Sequence, residues 1–272
     1  MSNSEHVWTG EKKRRAINSD DLKMRLNINE KYQSKNFHSW LQKRLKIRTG
    51  EQILDVGCGT GAQTKFMAED AGLNGHVTAI DISKDSIETL KKTIPNHIKD
   101  RVSAHVLDMG DISTFLDNNF KDKNYTLAQS SYAIYYSPKR LEVLKEMQKR
   151  TAKTGRVSIF TPCPKHGMID FCSKFYDISE PVMDSLNFGE DILRPLFRKS
   201  FWEVEVHYFQ SKLSISNFED FKFFYEASTY YNESASEEVY EGAKNEIKKN
   251  GILDFDKCGI LLIGTGVREY CI

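Results

Sequence analysis

Short apolar runs alternate with helical patterns between residues 51 and 161. Five runs predict β-strands: QILDV (52–56), HVTAIDI (76–82), VSAHVL (102–107), YTLAQSS (125–131) and RVSIFT (156–161). The stretches between them carry apolar residues at helical spacing. Because strands that alternate with helices build βαβ units, the pattern predicts an α/β fold with a doubly wound sheet. Such a sheet binds its ligands at the carboxyl ends of the strands.

Capping residues mark several of the predicted helices. Residues 61–71 form one helical stretch, which the glycine at the next position ends. Ser83 is a candidate N-terminal cap for the following helix, and Pro95 ends that helix. Ser137 followed by Pro138 predicts a cap and a first helical residue after the fourth strand. We therefore expect helices to connect the predicted strands.

The flanking segments have a different character. Residues 1–50 are polar and mostly helical in pattern, and FHSWLQKRLKI (37–47) suits a helix packed on the edge of the sheet. Residues 162–200 are irregular and interrupted by prolines. FWEVEVHYFQSKLSI (201–215) alternates as a strand does, and CGILLIGTGV (258–267) is typical of a buried strand. The flanks therefore predict two further strands.

Residues 217–250 lie between the last two predicted strands and hold two helical stretches. The first, FEDFKFFYEASTYY (218–231), has more aromatic residues than one packing face needs. Two interpretations stay open: the rings line a substrate pocket as part of a lid, or they seat the helix on the sheet. We predict an N-terminal helical extension (1–50) and one domain (51–272), with insertions at about 162–200 and 217–250.

Composition and charge exclude some classes of function. The chain has 39 basic and 38 acidic residues, so it has no general attraction to nucleic acid or to an anionic membrane. Its first residues lack the apolar core of a signal peptide, and its longest apolar run, roughly ten residues, is too short to span a bilayer. Five cysteines without a CxxC pair favour free thiols over disulfides or structural zinc. We expect a cytoplasmic protein.

ILDVGCGTGAQT (53–64) places three glycines in five residues directly after the first strand. Glycines at this spacing have little structural need, so we interpret them as bare backbone that lets N–H groups and a helix N-terminus approach a ligand. As G-x-G-x-x-A, residues 57–62 match a loose dinucleotide fingerprint. As D-x-G-x-G-x-G, residues 55–61 match a stricter pattern. The carboxylate of Asp55 suits a ligand with a positively charged amino group, not a pyrophosphate.

With these residues, ILDVGCGTG (53–61) resembles motif I of the class I S-adenosylmethionine-dependent methyltransferases. Three further elements follow in the order of that family: HVTAIDIS (76–83), LDMGD (107–111) and AQSSYAIYYSP (128–138). The final strand also resembles the antiparallel seventh strand of the family. The resemblance implies a Rossmann-like, mostly parallel seven-stranded sheet. It also implies S-adenosylmethionine as cofactor and S-adenosylhomocysteine as product.

The resemblance assigns roles to individual residues. Asp81 would bind both ribose hydroxyls, Asp108 the adenine amino group and Met109 the adenine ring. The alternatives are structural, since Asp81 can cap the next helix and Asp108 can stabilise a turn. The predicted cofactor-binding residues are Asp55, Gly57, Cys58, Gly59, Gly61, Asp81, Ile82, Asp108, Met109 and Ser130.

Methyl transfer from a sulfonium is an in-line displacement, in which positioning and exclusion of water supply much of the rate. A hydroxyl acceptor would also benefit from a base. Because alternating residues of a strand point in opposite directions, at most two of the tyrosines at 132, 135 and 136 should face the pocket. We favour Tyr132 and Tyr136 as acceptor-side catalytic candidates. His166 is a candidate base, and its alternative is a loop residue.

The N-terminal extension contributes two more candidates. Tyr32 and His38 either close over the cofactor or pack in the core. A cover of this kind would exclude water from the reacting atoms.

Three classes of function stay open. The first is methylation of a hydroxyl or amine of a small molecule, such as a sugar or a natural-product intermediate. The second is methylation of RNA or protein, although SSYAIYY (130–136) stands where methylases of exocyclic amines have an Asn/Asp-Pro-Pro-aromatic motif, and a solvated tail explains GEKKRR (10–15). The third is a protein that binds the cofactor without methylating. The sequence leaves the acceptor and the oligomeric state open.

Overall fold

A computed structural model gives the structure of residues 8, 10–121 and 123–268. Residues 1–7 and Cys271, which entered the sequence analysis, lie outside the described residues. The strands are β1 (Gln52–Val56), β2 (His76–Asp81), β3 (Val102–Val106), β4 (Tyr125–Ser131), β5 (Thr151–His166), β6 (Phe201–Ile215) and β7 (Leu253–Val267). All seven coincide with predicted strands.

Helices cover the sheet and form the flanking segments. They are α1 (Gly10–Ile17), α2 (Ser19–Tyr32), α3 (Phe37–Leu45), α4 (Ala62–Asp70), α5 (Lys84–Thr93), α6 (Ile112–Asn119), α7 (Arg140–Lys149), α8 (Gly167–Cys172), α9 (Glu180–Asn187), α10 (Arg194–Ser200), α11 (Phe218–Glu226) and α12 (Ser236–Asn250). Within the described ranges, no helix is long and apolar enough to cross a membrane.

The sheet has the order β3-β2-β1-β4-β5-β7-β6. Strands β1 to β5 pair in parallel, whereas β7 runs antiparallel to both of its neighbours, β5 and β6. This topology confirms the predicted Rossmann-like doubly wound sheet with an antiparallel last strand. The strand order reverses between β1 and β4, so the carboxyl ends of these strands border the crevice where such folds bind ligands.

Both faces of the sheet are covered, which explains why its strands are apolar on consecutive positions. In β1, Leu54 belongs to the core cluster on one face and Ile53 to the cluster on the other. Both side chains are fully buried.

Helix α3 packs on a face of the sheet, not on its edge as predicted. Leu41 and Leu45 are fully buried. The ring of Phe37 lies 4.6 Å from that of Phe160 in β5, and the ring of Trp40 lies 5.1 Å from that of Phe209 in β6. The aromatic rings pack α3 against the face of the sheet because they bury more surface there than they would at its edge.

Two sequence interpretations near the helix ends are wrong in detail. The helix after β4 begins at Arg140, and Ser137 lies outside it, where its hydroxyl accepts a hydrogen bond from the Lys139 N–H at 3.2 Å. The basic stretch 10–15 belongs to α1, so its backbone is helical and not a tail. The guanidinium of Arg15 lies 4.4 Å from the centre of the Tyr231 ring, which holds α1 against the protein.

A buried ion pair joins the N-terminal extension to the sheet. Arg156 of β5 donates from Nη2 to both carboxylate oxygens of Glu51, at 2.6 and 2.9 Å, and from Nη1 to the carbonyl of Leu45 at the end of α3. Glu51 and Arg156 are both buried. Removal of one partner would leave a buried charge without its counter-charge, which is the costly case for an ion pair.

We expect Glu51→Ala to lower the free energy of unfolding by about 3–5 kcal/mol, because Arg156 keeps its charge in a buried place. Urea unfolding followed by circular dichroism measures this loss. The control is the double variant Glu51→Leu with Arg156→Met, which removes both charges and should recover most of the loss. A single variant as stable as wild type would contradict this account of the pair.

Candidate functional site

A cavity of about 700 Å³ opens at the carboxyl ends of the parallel strands. Its wall includes Gly57 to Thr60 after β1, Asp81 and Ile82 at the end of β2, and Ser131 to Ala133 after β4. Helix α2 covers it, and both predicted insertions contribute side chains to its wall. The volume lies in the range of ligand and cofactor sites.

The glycine loop approaches the chain beyond β4 very closely. Gly57 has φ +75°, and a Cβ there would lie 2.2 Å from the Cβ of Ala133. Gly61 has φ +84° and packs against Leu90 of α5. The expectation that these glycines have little structural need is therefore wrong. Among the three, Gly57 and Gly59 line the cavity, as Cys58 does, whereas Gly61 does not.

Asp81 links β2 to the glycine loop. Its carboxylate accepts hydrogen bonds from the N–H of Gly59 and of Ser83, both at 2.8 Å. Burial raises the pKa of Asp81, while these two N–H groups favour the charged form. A carboxyl group with hydrogen-bond acceptors therefore stands on the cavity wall beside bare backbone. This arrangement suits a ligand that offers hydroxyl donors.

Asp55 lies beneath the loop and not on the cavity wall. Its carboxylate is fully buried and accepts a hydrogen bond from the hydroxyl of Thr64 at 2.6 Å. Burial raises the pKa of Asp55 to about 7. Its direct contact with a cofactor stays a prediction.

Of the remaining predicted cofactor-binding residues, some line the cavity and others do not. Met109 and Ile82 line the cavity. Asp108 is exposed, and its carboxylate accepts the Gly110 N–H at 2.8 Å, the turn role that was its structural alternative. Ser130 is buried off the wall, and its neighbour Ser131 lies on the wall instead. Roles of Asp108 and Ser130 in cofactor binding stay predictions.

All three tyrosines beyond β4 line the cavity, so the expectation of at most two is wrong. Tyr132 has φ +56°, and residues 134–136 form a 3₁₀ turn, so the alternation of a strand ends before them. The Tyr136 ring packs 4.9 Å from that of Trp8. Burial raises the pKa of both Tyr132 and Tyr135. These phenols therefore stay protonated near neutral pH.

His166 lies on the cavity wall at the end of β5, near the ring of Tyr230. Within the described part of the chain, its buried Nδ1 has no hydrogen-bond partner. Burial, helped by the charge of Lys257, lowers the pKa of His166 to about 4. The imidazole is therefore neutral at physiological pH and is a weak base there.

The two N-terminal candidates behave differently. His38 lines the cavity, and burial lowers its pKa. Tyr32 does not line it, since its hydroxyl donates to the Asp220 carboxylate at 2.5 Å and joins α2 to α11. Tyr32 therefore holds the cover in place, and only His38 contributes to the wall.

The polar cavity residues that sequence reasoning missed include Arg25 and Asn29 of α2, and Lys257 of β7. The sequence signal for Lys257 was its position, since this charged residue stands directly before the apolar run CGILLIG. That run was predicted to belong to a buried strand. The ammonium of Lys257 donates to the Asn29 side chain at 2.9 Å and lies 5.9 Å from the Tyr132 ring centre. No comparable signal marked α2 as the cover of the cavity.

Comparison with known proteins identifies the class. A profile of the methyltransferase-domain family matches residues 47–199, more than half of the chain, and the chain belongs to this family. The match confirms the resemblance to class I S-adenosylmethionine-dependent methyltransferases. The cofactor of that superfamily is S-adenosylmethionine, as the resemblance implied.

Curated relatives match part of the chain. Magnesium-protoporphyrin O-methyltransferase of Rhodobacter capsulatus is 35% identical over 117 residues, which is 43% of this chain and 47% of that protein. Aklanonic acid methyltransferase DauC of Streptomyces sp. (strain C5) is 28% identical over 123 residues, 45% of this chain and 53% of that protein. The chain thus spans about half the length of the curated relatives it matches.

Solved structures share the fold at low sequence identity. A protein of Bacillus halodurans C-125 is 15% identical with a TM-score of 0.59, and the match covers 85% of this chain and 98% of that chain. The [4+2]-cyclase SpnF is 13% identical with a TM-score of 0.56, over 96% of this chain and 99% of that chain. These structural similarities support the fold assignment. The chemistry has to be inferred from the residues of the site.

The residues present fit S-adenosylmethionine. Gly57 and Gly59 present bare backbone to the cavity, and the Asp81 carboxylate lies beside it. The deeper cavity continues past this point between the aromatic residues Tyr132, Tyr136 and Tyr230.

The raised pKa of Asp55 gives stability a pH dependence. The folded protein holds this proton up to about pH 7, whereas the unfolded chain releases it near the ordinary value of 3.8. The contribution of Asp55 is therefore fully present below pH 3.8 and is lost as pH rises through about 7. We expect the stability of wild type relative to Asp55→Asn to fall across this range by on the order of 4 kcal/mol.

Urea unfolding of both proteins at a series of pH values measures this difference. The Asn variant keeps a carbonyl that can accept the Thr64 hydroxyl and has no titrating group at the site. Curves that run parallel between pH 4 and 8 would show that Asp55 titrates normally.

Proposed function

We propose that the protein transfers the methyl group of S-adenosylmethionine to a small organic acceptor. The observation that carries this proposal is the continuity of the cavity: one space is lined by Asp81 and the glycine loop and also by a chamber of aromatic and apolar side chains. The curated relatives with small-molecule acceptors agree with it. Residues 51–272 would form the catalytic domain and residues 1–50 its cover.

The cofactor side would be built from the predicted motif residues. Asp81 would bind the ribose hydroxyls, Met109 and Ile82 would lie against the adenine, and the loop from Gly57 to Gly59 would face the methionine end. When bound, S-adenosylmethionine supplies an electrophilic methyl group. Asp55, behind the loop, would lie near the amino group of the cofactor, whose positive charge would favour the ionised form of this carboxyl.

The acceptor side would act by orientation and by exclusion of water. Tyr132 and Tyr135 remain protonated, so they can donate hydrogen bonds, and all three tyrosines beyond β4 can offer ring faces to a cation. His166 is neutral and weakly basic. The protein therefore contributes orientation of the reactants more than proton transfer. The acceptor must have a lone pair that is reactive without deprotonation by the protein.

The other two classes of function have less support. Macromolecular substrates would need open access, whereas α2 covers the cavity and Arg15 of the basic helix is engaged with Tyr231. The shared fold of SpnF shows that this architecture is not confined to methyltransferases. Proof of turnover therefore has to come from methyl transfer itself.

Incubation of the purified protein with methyl-labelled S-adenosylmethionine and a metabolite extract tests the reaction. We expect label in low-mass products, because the cavity is enclosed and of small-molecule size. Extracted RNA and total protein, offered in parallel, serve as controls. Label confined to either of these macromolecules would contradict the proposal.

The Asp81→Asn variant tests the cofactor side. We expect it to weaken S-adenosylhomocysteine binding by about tenfold or more, since it removes the charge and one acceptor from the ribose position. Isothermal calorimetry measures the affinity. Asp100→Asn, on an exposed residue away from the cavity, is the matched control and should bind as wild type does. Equal S-adenosylhomocysteine affinities of the two variants would show that Asp81 does not bind the cofactor.

A further inference from the structure

We propose that the acceptor is a hydrophobic carboxylic acid and that Lys257 binds its carboxylate. This inference rests on the proposed function and adds the chemical class of the acceptor to it. Lys257 would be a specificity-determining residue.

Lys257 is a cation inside the cavity with few partners. It lies on β7, opposite His166 in the register of β5 and β7, and both residues line the cavity wall. Its ammonium donates to the Asn29 amide oxygen at 2.9 Å. Among the described residues, no carboxylate oxygen lies within 4.0 Å of this ammonium. A half-buried cation without an anionic partner has lost part of its solvation, so the site favours a ligand that supplies an anion.

The other charged groups around the chamber add to the positive charge of Lys257. Arg25 reaches it from α2, and its guanidinium donates to the backbone carbonyls of Ala227 and Arg15 and not to a carboxylate. Three acids line the cavity: Asp81 lies at the glycine loop, whereas Glu30 of α2 and Asp256 of β7 are exposed. His38 and His166 have lowered pKa values and are neutral. The interior of the chamber is therefore positive.

Two physical effects show that this charge is unbalanced. Burial and the nearby charge of Arg25 lower the pKa of Lys257 to about 8. An anion bound between the two cations would oppose both effects, because an opposite charge favours the charged form of the lysine. A carboxylate is the anion that fits, because it is fully charged at neutral pH, whereas a phenol has an ordinary pKa near 10 and would enter uncharged.

The rest of the wall selects an apolar body for this acid. Met168 and Ile169 of α8, Val182 and Leu186 of α9, Phe224 of α11 and Tyr230 line the same cavity. Such a surface gains free energy by burying apolar area and offers few partners to a polar sugar. An amine would be disfavoured as well, because its charge has the same sign as Lys257 and Arg25.

Calorimetry on the protein saturated with S-adenosylhomocysteine tests the inference with two probes of the same shape, 2-naphthoate and the neutral 2-naphthamide. We expect naphthoate to bind at least about tenfold more tightly than the amide. Lys257→Met should abolish this preference while S-adenosylhomocysteine affinity stays unchanged. The matched control is Lys35→Met, an exposed lysine at the cavity mouth, which should keep the preference.

The pH profile separates a direct contact from a structural role. Lys257 is charged below about pH 8 and loses its charge above it, so naphthoate binding by wild type should weaken between pH 7 and 9. Lys257→Arg should restore the preference and remove this pH dependence, because arginine stays protonated.

Two results would overturn the inference and are distinguishable. Equal affinity for naphthoate and naphthamide, or absence of naphthoate binding, in a protein that binds S-adenosylhomocysteine would contradict this inference alone. Failure to bind S-adenosylhomocysteine at all would contradict the proposed function together with it.

Discussion

The structure depends on one close approach of backbone to backbone at the point where the strand order reverses. The loop after β1 passes so near the chain leaving β4 that a Cβ at Gly57 would lie 2.2 Å from the Cβ of Ala133. The Asp81 carboxylate at the end of β2 then fixes the loop through the Gly59 N–H. Three strand ends are thereby joined, and the cavity begins on this surface.

The two ends of this cavity differ in charge. Asp81 makes the cofactor end acidic, whereas Arg25 and Lys257 make the far end basic. A cationic cofactor suits the first end and an anionic acceptor the second. Opposite charges on the two ligands would draw the reacting groups together, which is the contribution that orientation makes to a displacement reaction.

Local patterns in the sequence predicted the sheet and its crevice well. The apolar run of β1, the glycines after it and Asp81 at the end of β2 depend on neighbours close in sequence, so they are readable from the chain. Sequence reasoning failed where the backbone changed direction or distant segments met. The left-handed conformation of Tyr132 ended the strand alternation, and the contact between Lys257 and Asn29 joins residues 228 positions apart.

A crystal structure of the protein with S-adenosylhomocysteine tests the central claim most directly. The account predicts the ribose on the Asp81 carboxylate, the homocysteine end along Gly57 to Gly59, and the sulfur facing the chamber that holds Lys257. Binding of the nucleoside elsewhere, or a sulfur that points away from this chamber, would contradict it.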